Sequence, residues 1–322
     1  MPQSVTHCPH HTAPWALAIA ITATLTLPAT AQEDSGINFR ELGQGYAHMI
    51  SFAAAPEISA SGFRIDSETP NTDNVMAVLK VPLYKEFEIE DSDWRWYAQG
   101  AFSSLRYTEE LDDLELVPGM DMFTTDIDAE WEAYTGVAEA GLIMPLTQSL
   151  SLTGGFGAGG TRLKNDSSIS NAFVRDILAP VLEGQVINWR TSAVIGRATV
   201  GLAYRDTWYD NLKVRGSTSY VYSYVESFNE SEGFPSFQAN TGSMSAKFDV
   251  AQPLSATINE HPLYLIGHVA GTAFTGPGRD QFGFTHFYEV GVALGYRQVA
   301  LGLQAVLGPD VDGLTITFDY GF

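Results

Sequence analysis

The 322-residue chain carries 17 Lys and Arg against 38 Asp and Glu, a formal charge of −21. That balance excludes a nucleic-acid-binding protein, which needs a basic patch to meet phosphates. A single cysteine, Cys8, excludes an internal disulfide and a cysteine-ligated metal centre.

Trp15 to Leu27 form an apolar run too short to span a bilayer as a helix. Pro28 and the small-x-small sequence Ala29-Thr30-Ala31 follow, which suits a signal peptidase. The n-region has no Lys or Arg, only the Met1 amine and His7, His10 and His11. We expect a signal peptide over 1–31, cut after Ala31, a lead segment over 32–57, and one domain over 58–322. In the lead, Phe39, Leu42, Tyr46, Met49, Ile50 and Phe52 recur at helical spacing, although Gly43 and Gly45 weaken the helix.

From 58 onward the pattern changes to strict alternation. A strand crossing lipid as part of a barrel turns apolar residues outward and small or polar residues inward. The expected strands are 58–66, 74–85, 93–107, 128–145, 148–163, 186–208, 213–228, 237–254, 262–275, 282–297, 299–307 and 313–322. On 194–205 the outward set is Val194, Gly196, Ala198, Val200, Leu202 and Tyr204, with Arg197, Thr199 and Arg205 inward. On 282–297 the outward set is Phe282, Phe284, Tyr288, Val290, Val292, Leu294 and Tyr296, with aromatics at the ends. That distribution is an aromatic girdle. Leu314, Ile316, Phe318, Tyr320 and Phe322 share one face of the last segment, and the chain stops on the aromatic. The fold class is therefore all-β: a transmembrane antiparallel barrel of about twelve strands, with the lead helix in or near its lumen.

An even strand count puts both ends of the barrel in the periplasm. Short connections such as 145–147 then face the periplasm, and the long acidic ones (108–127, 164–185, 228–236) face outward. The first of these holds Glu109, Glu110, Asp112, Asp113, Glu115, Asp121 and Asp126, with Asp128 at its edge. Carboxylates scattered without an EF-hand pattern favour a solvated surface; the sharper alternative, divalent-cation binding or cation attraction to a pore mouth, has no established site. A second helical stripe, Phe173, Val174, Ile177, Leu178, Val181 and Leu182, falls in the loop 164–185. Ser170 or Asn171 is expected to cap its start, and Pro180 to keep it short or kink it. The run Gly154-Gly155-Phe156-Gly157-Ala158-Gly159-Gly160 continues a strand and opens no helix, so it is close packing and no phosphate cradle.

These features together resemble an autotransporter translocator domain: a signal peptide, a helix-like lead and about twelve strands ending on Phe322. Too few residues precede the first strand to make a passenger. The chain is therefore similar to the solitary autotransporter-like outer-membrane barrel family. The resemblance implies an outer-membrane location, contact with outer-membrane lipid, and a last strand read by the barrel-assembly machinery. It implies no reaction and no cofactor.

The lumen is expected to hold Lys80, Arg95, Glu139, Arg197, Arg205, Lys247, Asp249, His268, Glu289, Arg297 and Asp319. Opposite charges in a narrow lumen find one another, so bracing ion pairs are favoured over chemistry. A charge-selective constriction is compatible with them. A phospholipase would need a Ser and a His facing lipid, yet only His286 faces out and no His-x-Ser-Asn-Gly motif occurs. A barrel protease would need a His–Asp arrangement on external loops, whereas Asp206 and Asp210 lie on the short-turn side. No catalytic, cofactor or metal residue is assigned. The favoured function is a narrow or plugged pore or a surface scaffold. The alternatives are an adhesive protein acting through its acidic loops, with no identified external partner, and a hydrolase of phospholipase or protease type.

Overall fold

The computed structural model describes residues 39–55, 60–66, 72–115, 124–209, 211–297 and 299–320. The expected signal peptide and Phe322 lie outside them. Twelve antiparallel strands close into a barrel in sequence order, with β1 paired to both β2 and β12. They are β1 (Ala60–Ile65), β2 (Thr72–Glu88), β3 (Arg95–Glu115), β4 (Thr124–Pro145), β5 (Leu150–Ile169) and β6 (Arg190–Trp208). The rest are β7 (Leu212–Phe228), β8 (Gln238–Ile258), β9 (His261–Thr275), β10 (His286–Tyr296), β11 (Val299–Leu307) and β12 (Val311–Tyr320). Helix α1 (Phe39–Ala54) lies inside the barrel, and α2 (Ala172–Leu182) sits in the β5–β6 connection. Connections at one end are tight, as at Asn259-Glu260, where both φ angles are positive and a two-residue hairpin results. The other end carries α2 and the long loops, and by the rule for bacterial barrels it faces outward from the cell.

The alternation has two regimes. Across the belt, Val290, Val292, Leu294, Leu301, Leu303, Leu314, Ile316 and Phe318 point out and are exposed to the surroundings. Above it the pattern inverts. Leu111, Ile127, Ala129, Trp131 and Leu163 turn inward and are buried, while Arg106, Glu130 and Glu132 turn outward and pair. This inversion explains the first correction. The acidic stretch 108–127 is not one loop, because β3 runs up to Glu115 and β4 starts at Thr124. Among the described residues, Glu110, Asp112 and Asp128 stand exposed on these two strands, which rise above the lipid, where outward charge meets water. Glu109 instead turns inward and is buried.

A second correction concerns β10, which begins at His286 and not at 282. Phe282 and Phe284 were expected to face lipid. Phe282 ends, and Phe284 follows, a 3-10 turn (Arg279–Phe282) flanked by Gly278 and Gly283 at positive φ, which swings both into the barrel mouth. With Phe63, Phe274 and Phe287 they ring Phe52 of α1 at centroid distances of 5.4–6.3 Å. The outer half of the lumen is therefore a dry core and not the wet channel the charge pattern suggested.

The glycines that weaken α1 have a purpose here. A Cβ on Gly43 would stand 2.5 Å from Phe237 Cβ, and one on Gly45 would stand 3.0 Å from Gln281 Cβ. Two external loops thus press directly on the helix backbone. Asn171 caps α2 as expected, accepting from Phe173 N at 3.0 Å.

Phe52 is the centre of this core, so Phe52→Ala is expected to destabilise the barrel by about 3–5 kcal/mol. Urea unfolding of the protein refolded into lipid vesicles measures it.

Candidate functional site

Helix α1 enters the lumen from the long-loop end and stops halfway down. Its outer half touches Trp189, Phe234 and Phe237, all near the long loops. His48 Nε2 donates to Pro277 O at 3.1 Å. Its last turn is at mid-barrel, where the final carbonyls of a helix need partners. The wall supplies cations. Lys80 Nζ donates to Phe52 O at 2.5 Å and to Ala55 O at 2.7 Å, and it also lies 4.8 Å from the Phe52 ring centroid. Arg197 Nη1 donates to Ala54 O at 3.0 Å. Two positive charges at a helix C-terminus both cap the carbonyls and oppose the negative end of the dipole.

Arg197 is held in turn by Glu139, with Nε 3.0 Å from Oε2 and both side chains almost fully buried. The carboxylate also accepts from Tyr97 Oη at 2.7 Å, Gln99 Nε2 at 2.8 Å and Thr199 Oγ1 at 2.8 Å. A buried carboxylate with three donors and a guanidinium is well compensated. The glycine run makes this arrangement possible. A Cβ on Gly155 would collide with the Tyr97 hydroxyl, and one on Gly157 would sit 2.9 Å from both Arg197 Cγ and Glu139 Cβ. Close packing was the expected reason for the run, and its object is this network.

A second group lies nearer the short turns. Asp249 Oδ1 is 2.5 Å from His268 Nδ1, and its Oδ2 is 3.5 Å from Arg215 Nη2. Lys247 shares the inward face of β8 with Asp249 and is half-buried, and Glu289 is buried on β10. A third group closes the short-turn mouth, where Glu86 of β2 pairs with Arg95 of β3 and, across the barrel, with Arg205 of β6 at 3.5 Å. Arg205 is exposed at this mouth and is not enclosed. Arg297 is not in the lumen at all. It occupies the β10–β11 turn with φ 55° and is exposed, because the tight turn needs a left-handed residue there. The side chain of Asp319 lies outside those described. The sequence reading missed Glu86, Tyr97, Gln99 and Arg215. Tyr97 and Gln99 share the inward parity of Arg95 on β3, so the alternation already marked them.

Between the tip of α1 and the short-turn mouth lies a cavity of about 160 Å³. Ser51 and Ala55 form its ceiling, and Thr153, Ser219, Ser223 and Ser243 line one side. Tyr84 and Tyr97, stacked at 6.0 Å, line the other.

The hydrolase geometries can be placed as well. His286 is half-buried beside Tyr288 on the outer face, and Thr285 is its hydroxyl neighbour at 3.1 Å. Asp206 accepts from Tyr204 Oη at 2.9 Å, Ser149 Oγ at 3.1 Å and Thr207 N at 2.7 Å, which organises the short-turn end. Asp210 lies outside the described residues. The Asp249–His268 pair sits in the lumen, and among the described residues no hydroxyl hydrogen-bonds the second ring nitrogen.

A family model for the solitary outer membrane autotransporter beta-barrel domain matches residues 64–321. The chain belongs to this family. A solitary autotransporter barrel of this kind resides in the outer membrane and meets lipid with its exposed belt. Among solved structures, the chain is similar to the translocator domain of the autotransporter NalP from Neisseria meningitidis. Identity is 10% over 92% of this chain and 100% of that one, with a TM-score of 0.48. It is also similar to the transport unit of the autotransporter AIDA-I from Escherichia coli (8% identity, 96% of this chain and 97% of that one, TM-score 0.46). The beta domain of the Bordetella autotransporter BrkA is a third (10% identity, 82% and 98%, TM-score 0.44). Among curated protein sequences none matches this one.

Two expectations follow for this solitary barrel. Arg197→Ala leaves Glu139 buried without its cation and costs roughly 3–5 kcal/mol. Pairing Arg197→Met with Glu139→Gln restores most of that loss, as a double-mutant cycle on urea unfolding reads directly. His48 belongs to α1, and no helix among the described residues crosses a membrane. Burial lowers its imidazole pKa from the ordinary 6.5, against the opposing hydrogen bond to Pro277 and the nearby Asp280, with Arg279 assisting. A depressed pKa means that stability is full above pH 6.5 and falls as acid protonates His48. The thermal transition is expected to drop as the pH falls below 6.5 toward the depressed folded-state pKa, and His48→Gln is expected to flatten that dependence.

Proposed function

We propose that this protein is a sealed outer-membrane barrel that serves as a surface scaffold, with α1 as a resident plug. One observation carries the reading: α1 fills the outer lumen in dry contact and points its N-terminal end toward the long-loop mouth. A pore needs a continuous wet path, and the phenylalanine ring around Phe52 interrupts it. A plug meant to leave readily would not be anchored at both ends, by loop glycine contacts above and Lys80 and Arg197 below. The N-terminal end of α1 then opens on the cell surface, where the scaffold presents it. Leu314, Ile316 and Phe318 face lipid on β12, which suits a final strand handed over by the barrel-assembly machinery. The acidic loops are a weaker basis for adhesion, since Arg106 already neutralises part of the charge of Glu130 and Glu132.

Single-channel recording in a planar bilayer tests the seal. The intact barrel is expected to be silent, and a form lacking 32–55 is expected to conduct. Steady conductance of the intact form would refute the plug. An epitope placed just before Phe39 is expected to bind antibody on intact cells, and labelling only after permeabilisation would reverse the topology.

A further inference from the structure

The cavity beneath α1 is not explained by a plug alone. A seal needs a packed floor, yet about 160 Å³ is left open under the helix tip. At about 30 Å³ per water that is room for about five waters, or for one six-membered sugar ring. We propose that it is a binding site for a single neutral, polyhydroxylated ring of monosaccharide size, entering from the short-turn mouth.

The lining defines the class. The charged groups that reach the cavity are already spent. Arg197 is taken by Glu139 and Ala54 O, and Glu139 has its donors. An ion would find no partner of opposite sign, so the ligand is neutral. The hydroxyls are another matter. Ser51 bonds Thr241, and Ser219 bonds Ser245. Thr153, Ser223 and Ser243 have no protein partner among the described residues. Ser223 is only 4% exposed, yet its side chain lines the open space. A hydroxyl both donates and accepts, so three of them on β5, β7 and β8 match a ligand that does the same around a ring. Gln99 spends its amide nitrogen on Glu139 and keeps its carbonyl oxygen for an incoming hydroxyl. Opposite the hydroxyls, Tyr84 stacks on Tyr97, and both rings line the space. A pyranose has this two-sidedness, with hydroxyls around the rim and a C–H face that suits an aromatic ring.

Access is one-sided. Ser217 and Arg205 share the inward parity of the lining yet are exposed, so the short-turn half is open to water. Above, α1 and the phenylalanine ring close the route. The ligand therefore enters and leaves by the same mouth, and the site is a receptor pocket and not a stage in passage. Its chemistry would also reject a charged or a purely apolar ring, because either leaves buried hydroxyls unpaired.

The test is calorimetric titration of D-glucose into the full barrel, refolded in an amine-oxide detergent so that no glycosidic headgroup competes. Saturable binding in the millimolar range is expected, a modest affinity for a small ligand. Ser243→Leu, which fills the cavity, is expected to weaken it by about tenfold or more, and Thr153→Val by a smaller factor. Gluconate and cyclohexanol are expected to bind at least about tenfold more weakly than glucose. Absence of saturable heat from glucose overturns the proposal, as does equal binding to Ser243→Leu and Thr153→Val. Gluconate binding as well as glucose would show a charge site instead. Because titration reads occupancy and conductance reads the seal, failure of the pocket and failure of the plug are distinguishable.

Discussion

The structure turns on one local problem, a helix that ends in the middle of a barrel. The last carbonyls of α1 have no further helical turn to receive them and no backbone partner in the wall. Lys80 and Arg197 meet them, but a lysine and an arginine brought into a lumen bring their own desolvation cost. Glu139 offsets one of these charges, and Tyr97, Gln99 and Thr199 complete the carboxylate. Gly155 and Gly157 exist in β5 because this assembly occupies the space their side chains would need. A stretch of strand sequence that looks merely permissive is thus set by the end of a helix more than a hundred positions earlier.

Much of the fold was legible because the barrel and its helix obey different periods. Alternation from 58 onward marked twelve strands, and the 3.6-residue recurrence of Phe39 to Phe52 marked α1. Asn171 marked the start of α2 by ordinary capping chemistry, whereas Pro180 lies inside the helix, which runs on to Leu182. The misses share one cause. Apolar residues face out only where lipid is the neighbour. At Leu111, Ile127 and Trp131 the outside is water and the inside is a core, so the same period carries the opposite polarity. Phe282 and Phe284 followed the lipid rule by position and broke it because Gly278 and Gly283 turn the chain inward first.

The ion pairs were legible as residues and not as partners. Parity places Arg197 and Glu139 inward, but which strands face each other across a closed barrel depends on register and tilt. Arg297 shows the limit of parity itself, since the ladder ends one residue before it and a turn residue has no face.

The inversion of polarity along β3 to β6 divides the molecule into two bodies with different solvents. The lower barrel is held by closure of its hydrogen bonds in lipid, where association gains little from water. The upper barrel, with α1 at its centre, is an ordinary water-driven core, whose stabilisation is entropic near room temperature and weakens on cooling. One continuous set of strands therefore has two thermal characters, and in the cold the surface half approaches its limit while the lipid half is untouched.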